Sequence, residues 1–300
     1  MYELKHAGAT FTLQLKNGGQ WIGLELVSPL ENRPISVLSG HKENDPFFAS
    51  GSFLMFPWVN RLDPNPWARE PFFPSTQWLT DGNGLSLHGL YHSLPRTILS
   101  ETGDTNSRSL SLGFEIPEEW KGTALGKQVV VETYHLNQHA LGIEYSIRND
   151  SDSEFLFSLG IHPYFSFGQD STVDDLYLFG SGFQEVKLGD YLIPERIVPE
   201  PIRFVGETKL EGKNFDHLYK SVNPPQDEVY FGFFSVNRRE RVLVIGGKYY
   251  QIYIPPDRKS IAIEPMTATG NFLHFERDAI IAIQPGEEKK ITFLIRIETF

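Results

Sequence analysis

The chain of 300 residues contains no cysteine. That excludes disulfides, thiol nucleophiles and cysteine-ligated metals, and leaves the compartment open. Positive charge is also scarce: 27 Lys and Arg face 38 Asp and Glu, a formal charge of −11. So acidic a chain is a poor partner for nucleic acid or an anionic membrane. No apolar run approaches the ~18 residues of a membrane span. The opening Met1-Tyr2-Glu3-Leu4-Lys5-His6 lacks the apolar stretch of a signal peptide. The expectation is a cytoplasmic protein with no nucleic-acid or membrane partner. Motifs of cofactor chemistry are missing as well. Gly82-Asn83-Gly84 and Gly180-Ser181-Gly182 are not continued into a phosphate-binding loop. There is no His-Glu-x-x-His pair and no Gly-x-Ser-x-Gly elbow. His88 and His92 have a metal-like interval but no third ligand close in sequence. No metal and no cofactor are expected.

Helical periodicity is nearly absent too, and strand patterning takes its place. Leu141, Ile143, Tyr145 and Ile147 alternate with Gly142, Glu144, Ser146 and Arg148, the period of a half-buried strand. Similar stretches run over 10–15, 21–27, 109–116, 129–136, 174–179, 229–235, 241–245, 249–254, 279–283 and 291–297. Asn17-Gly18-Gly19 reads as a hairpin turn between the first two. One short helix is expected over 117–125, between Pro117 and Gly126. Pro57 to Pro74, rich in aromatics, reads as a long ordered loop. Frequent strands with few helices predict an all-β sandwich or barrel. No linker or repeat divides residues 1–300, so a single domain is expected.

Three ionisable residues stand out within these strands. In 154–162, Phe155, Phe157, Leu159 and Ile161 share one parity, and His162 lies on the other with Ser158 and Gly160. In 260–265, Glu264 lies opposite Ile261 and Ile263. In 85–89, His88 lies opposite Leu85 and Leu87. Pro163 and Pro265 follow two of them, and a proline there is expected to end the strand. A histidine at a strand lip can serve acid–base chemistry, or merely hydrogen-bond a neighbouring loop. Spacings this large require the fold, not a local motif, to assemble a site.

The same residues fall in motifs that resemble the aldose 1-epimerases, or galactose mutarotases, and their hexose-phosphate relatives. Asn60-Arg61, Leu87-His88-Gly89, His162-Pro163-Tyr164-Phe165, Phe215-Asp216-His217, Glu264-Pro265 and Pro285-Gly286-Glu287 occur in the family's order and span most of the chain. The resemblance implies a single antiparallel β-supersandwich of the galactose mutarotase type. It implies Glu264 as catalytic base, His162 as catalytic acid, and Arg61, His88 and Asp216 as binders of sugar oxygens. Leu90, Ile161, Pro163 and Met266 depart from the pattern common in the sugar mutarotases, which weighs against galactose in particular.

Interconverting the anomers of an aldose means opening the ring and closing it on the other face. A base takes the C1 hydroxyl proton and an acid protonates the ring oxygen; on closure the roles reverse. Reference values of about 4.3 for Glu and about 6.5 for His suggest an ionised Glu264 and a His162 that needs help to stay protonated. Asp216 is a candidate to give that help. The expected partner is a small sugar or sugar phosphate. A phosphate would call for clustered Arg, with Arg61, Arg69 and Arg96 as candidates. The alternative is a non-catalytic carbohydrate-binding β-sandwich that stacks sugars on Trp58, Trp67, Phe72, Phe73 and Trp78. A third reading, a glycoside hydrolase, would pair Asp216 with Glu264 across a scissile bond. The sequence leaves the oligomeric state open.

Overall fold

A computed structural model describes residues 1–40, 46–63, 79–168, 172–199, 207–223, 227–235, 237–276 and 279–300. Its regular structure is antiparallel strands with a few short 3-10 turns. Ala140–Asn149 shows why: from Leu141 to Ile147 its apolar positions are buried and the alternate positions half-buried, and Arg148 is exposed. It pairs on one side with Gln128–Leu136 and on the other with Glu288–Thr299. These three are part of a nine-stranded sheet that also takes in Leu176–Gly180, Tyr230–Ser235 and Glu240–Ile245. Among the described residues no helix is long and apolar enough to cross a membrane.

The second large sheet holds the strands that matter for function. Its order is Pro194–Ile197, Phe183–Leu188, Asp216–Ser221, Tyr249–Tyr253, Ile261–Met266, Gly160–Ile161 and Leu54–Met55, and Tyr164–Phe165 adds to Ile261–Met266. Aromatic rings join it to the nine-stranded sheet. Phe183 stacks on Phe231 with centroids 4.1 Å apart, and Phe165 meets Phe233 at 5.4 Å. These side chains belong to one buried apolar cluster that draws residues from Leu4 to Ile297. Burial of this kind contributes about 1.5–3 kcal/mol for each large side chain.

The helix expected over 117–125 does not form. Two 3-10 turns, Glu118–Trp120 and Leu125–Lys127, stand there instead. Trp120 turns inward and is buried. A Cβ on Gly126 would lie 1.9 Å from the Trp120 carbonyl oxygen, so the chain doubles back more tightly than an α-helix allows.

The segment that enters the site is tied down by one amide. Asn149 Oδ1 accepts from Gln128 Nε2, the Ser151 N–H and Ser151 Oγ, while its Nδ2 donates to the Ser153 and Ile283 carbonyls. This knot fixes the turn before Phe155–Phe157, which pairs with Ile281–Ile283. Asn149→Ala would strand several buried donors and acceptors, each worth about 1–3 kcal/mol. The expected loss is about 2–3 kcal/mol, read from urea unfolding; a change below about 0.5 kcal/mol would contradict this account of the turn.

Candidate active site

Strand register brings His162 and Glu264 together. Gly160 lies opposite Met266, and Tyr164 lies opposite Ala262. Both pairings keep one register, so His162, in the gap between them, faces Glu264 across the sheet. His162 Nε2 is 3.1 Å from Glu264 Oε1, and both side chains are almost fully buried. The gap arises at Pro163, which has no N–H to give. The His162 N–H turns the other way, to the Phe53 carbonyl at 3.0 Å.

The strand Gly160–Ile161 stops ahead of Pro163 as expected, and pairing resumes only at Tyr164. Pro265 does not end its strand: it sits inside Ile261–Met266 opposite Tyr250. The ladder survives both prolines through the bonds beside them: the Ile263 N–H donates to the Pro163 carbonyl at 3.3 Å, and the Thr267 N–H to the Leu159 carbonyl at 2.8 Å.

The next strands complete the face. Gln251 lies opposite Glu264, and its Nε2 donates to Asp216 Oδ1 at 2.6 Å. Asp216 lies opposite Tyr253, which in turn lies opposite Ala262. The other wall comes from short segments. Arg61 pairs with Leu87, and the His88 N–H reaches the Asn60 carbonyl at 2.8 Å. His88 has a left-handed backbone with φ 59°, and Gly89 follows with φ 75°. A Cβ at Gly89 would stand 2.2 Å from the Phe56 oxygen, so glycine is what lets His88 be turned into the site.

Asn60, Arg61, Leu87, His88, His162, Tyr164, Asp216, Gln251, Tyr253 and Glu264 line one cleft of about 210 Å³. All five residues singled out in the sequence are therefore brought together. Leu87 lines the cleft while Ser86 is buried, the reverse of the parity expected for 85–89. The strand there is only two residues long, too short to hold an alternation. Gln251, Tyr253 and Tyr164 were missed as cleft residues. The available signal for Gln251 was its position as the one amide in the aromatic stretch Tyr249–Tyr253.

Electrostatics depart from the simple expectation. Burial, then the Asp216 charge, push the Glu264 carboxyl well above its usual range, with Arg61 opposing. Burial lowers His162 to about 3. Asp216 thus acts on Glu264 instead of holding His162 protonated, because the register puts it on the Glu264 side. Burial also holds His88 well below its usual value, helped by His162, His92 and Arg61. His88 Nδ1 contacts Met55 Sδ at 3.2 Å.

Arg61 Nε donates to Asp81 Oδ2 at 2.8 Å and its Nη1 to Asn60 Oδ1 at 3.2 Å. Arg96, a candidate phosphate ligand, is instead buried and paired with Glu132 at 2.9 Å. Its position at the start of Arg96–Gly103 points it into the core. Arg69 lies outside the described residues, as do Trp67, Phe72, Phe73 and Trp78. Trp58, expected in a stacking platform, is 1% exposed and packs in the core. Its ring is spent on the apolar cluster.

Comparison with known proteins places this geometry. The chain superimposes on a galactose mutarotase-like protein from Clostridium acetobutylicum with a TM-score of 0.80 and 17% identity, over 99% of this chain and 95% of that one. An aldose epimerase homologue from C. elegans gives 0.74 and 17%, over 99% and 98%. Galactose 1-epimerase from Lactobacillus acidophilus NCFM gives 0.71 and 14%, over 99% and 93%. These likenesses show the galactose mutarotase-like antiparallel β fold. No curated protein sequence matches the chain. The family model described as aldose 1-epimerase matches residues 2–296, nearly the whole length. The chain belongs to the aldose 1-epimerase family, a family of isomerases.

Proposed function

We propose that the protein, acting as one domain, interconverts the α and β anomers of a free aldose through Glu264 and His162. The observation that carries this reading is the buried cross-strand contact of 3.1 Å between His162 Nε2 and Glu264 Oε1 at the floor of an open cleft. Burial disfavours the charged form of each partner. The pair therefore rests as a neutral unit, carboxylic acid against imidazole. Shifting the shared proton from Oε1 to Nε2 gives carboxylate and imidazolium with no change in total charge. The base and the acid are then both ready without a proton from solvent.

The chemistry follows from that state. Glu264 takes the proton from the C1 hydroxyl, and that bonding pair becomes the carbonyl of the open aldehyde. The C1 to ring-oxygen bond breaks, its electrons go to the ring oxygen, and the His162 imidazolium supplies the proton. Rotation about C1–C2 turns the other carbonyl face to the hydroxyl, and the steps reverse. Proton transfer of this kind typically contributes ~10²–10⁴-fold.

Other cleft groups hold the sugar. A thioether is a weak acceptor, so the contact with Met55 favours a proton on His88 Nδ1. That leaves His88 Nε2 as an acceptor for a sugar hydroxyl. Glu264 Oε2 and Gln251 Oε1 are buried without a protein partner. Such atoms are rare in folded proteins and call for an explanation; sugar hydroxyls would satisfy them.

Charge favours a neutral substrate. Among the described lining residues Arg61 is the one permanent cation, and Asp81 already engages it. Asp216 and Glu264 add carboxyl groups to the same cleft. A phosphate would meet these without a free guanidinium. The expected kcat/KM for the best free aldose exceeds that for its 6-phosphate by at least about tenfold, or ~1.4 kcal/mol. Saturation-transfer NMR between α and β anomeric protons, on a panel of aldoses and aldose 6-phosphates, tests both points. No enzyme-dependent exchange with any sugar would sink the function; faster exchange of the phosphates would sink the charge argument alone.

A further inference from the structure

The buried Nδ1 of His162 makes no well-formed hydrogen bond to any other described residue; besides Glu264, the polar group acting on the imidazole is its own main chain. Acid–base histidines are commonly oriented through that second nitrogen, by a carboxylate or a backbone carbonyl. Here the imidazole is held by rings. Phe53 stacks on it with centroids 4.8 Å apart and planes 24° from parallel. Tyr164 lies 4.8 Å away at 32°, and His88 meets it edge-on at 5.2 Å and 88°.

The Phe53 contact is set by strand register. Ile161 lies opposite Leu54, and the His162 N–H reaches the Phe53 carbonyl. One cross-sheet row thus runs Gln251, Glu264, His162, Phe53. The imidazole has a carboxyl on one side and a ring on the other. Phe53 is 1% exposed and does not line the cleft. Its own ring is held edge-on by Phe48 at 4.7 Å and 82°. It reaches the cleft by stacking on His162, and it also meets His88 edge-on at 5.3 Å and 65°, a contact that would show in KM and not in kcat.

We propose that Phe53 is a positioning residue for His162: its stacked ring, in place of a hydrogen bond at Nδ1, keeps Nε2 aimed at Glu264 and at the reacting sugar oxygen. The inference rests on the acid–base reading of the cleft. An imidazole free to swing about its side-chain torsions would lose the 3.1 Å contact to Glu264. Displacement of a reacting group by about 1 Å can cost ~10²-fold in rate. The aromatic face also attracts the cation that forms when His162 takes its proton.

Phe53→Leu removes the ring and keeps most of the volume; Phe53→Tyr keeps the ring. Two readings are taken on each: kcat and KM for anomer exchange, and the His162 Cε1–H resonance, assigned by its loss in His162→Asn. In F53L, kcat is expected to fall about ten- to a hundredfold with KM within about twofold. The resonance should move downfield as the ring current is lost. F53Y should keep kcat within about threefold of wild type, since the stacked face is intact. If F53L does not fold, Phe53→Met carries the same comparison. Wild-type kcat in a variant whose resonance has shifted would overturn the proposal, and so would F53Y losing as much as F53L. The resonance needs no substrate. Should the wild type exchange no aldose, the acid–base reading fails, while an unshifted His162 signal in F53L would refute the positioning role by itself.

Discussion

Glu264→Gln is expected to slow anomer exchange by at least about a hundredfold while sugar binding stays within about threefold of wild type, since general acid–base groups contribute ~10²–10⁴-fold. Gln matches Glu in size and keeps one acceptor oxygen, so the side chain still fits opposite Gln251 and beside His162. What it loses is the ability to take and return a proton. The carboxyl of Glu264 is raised by burial and by Asp216, which makes it a stronger base once ionised than an exposed carboxylate. An amide has no such state. The groups proposed to hold the sugar, Arg61, His88, Asp216 and Gln251, are untouched, so the loss should fall on kcat and leave KM nearly unchanged. Saturation-transfer NMR gives the exchange rate, and titration calorimetry with the best aldose gives the affinity. A variant that exchanges anomers at the wild-type rate would remove Glu264 from the chemistry. A variant that no longer binds would make it a ligand for the sugar instead of its base.

The fold was readable from the sequence wherever one strand face is buried and the other is not. Ala140–Asn149 is such a case, since its apolar and polar positions separate cleanly. Arg96–Gly103 is the opposite: after Arg96 every residue is exposed, so this edge strand leaves no alternation to read. Leu54–Met55, Gly160–Ile161 and Tyr164–Phe165 are two residues each, and both residues of all three are buried on whichever face they lie. They are strands because Ile261–Met266 and its neighbours offer partners, which no local pattern records.

The site was legible as residues and illegible as geometry. His162, Glu264 and His88 could be singled out from parity, and Arg61 and Asp216 from motifs. That His162 stands directly opposite Glu264 depends on a register between strands about a hundred positions apart in the chain. Pro265 misled for the same reason: it is a strand breaker in isolation, yet its strand runs on to Met266, paired with Gly160 on one side and Tyr249 on the other. The pKa values were misjudged because a sequence gives no burial: reference values fit exposed groups, and both members of this pair are shielded from water.

That shielding makes the pH profile a sharp test, and His162→Asn is the variant that reads it. Independent groups with reference values of about 4.3 and about 6.5 would give a narrow bell between them. In the buried pair the two steps belong to the pair as a unit. Activity needs one proton shared between Glu264 and His162. On the acid side it is lost when His162 takes a proton while Glu264 keeps its own, and burial lowers His162 to about 3. The acid limb therefore lies below the ordinary carboxylate range. On the alkaline side it is lost when the shared proton leaves, which the raised Glu264 resists. The alkaline limb is therefore displaced upward from the ordinary carboxylate range. Wild-type turnover should persist to a lower pH than a pair of exposed groups would allow. His162→Asn removes the donor to the ring oxygen and should lower turnover by at least about a hundredfold. Its residual rate should rise with pH as Glu264 ionises, opposite in sign to the alkaline limb of the wild type. Exchange rates by NMR from acid to alkaline pH, corrected for the uncatalysed reaction, check both curves. A wild-type optimum confined between the carboxylate and imidazole reference values, or a residual rate in His162→Asn that falls as pH rises, would mean that the two groups do not share a proton.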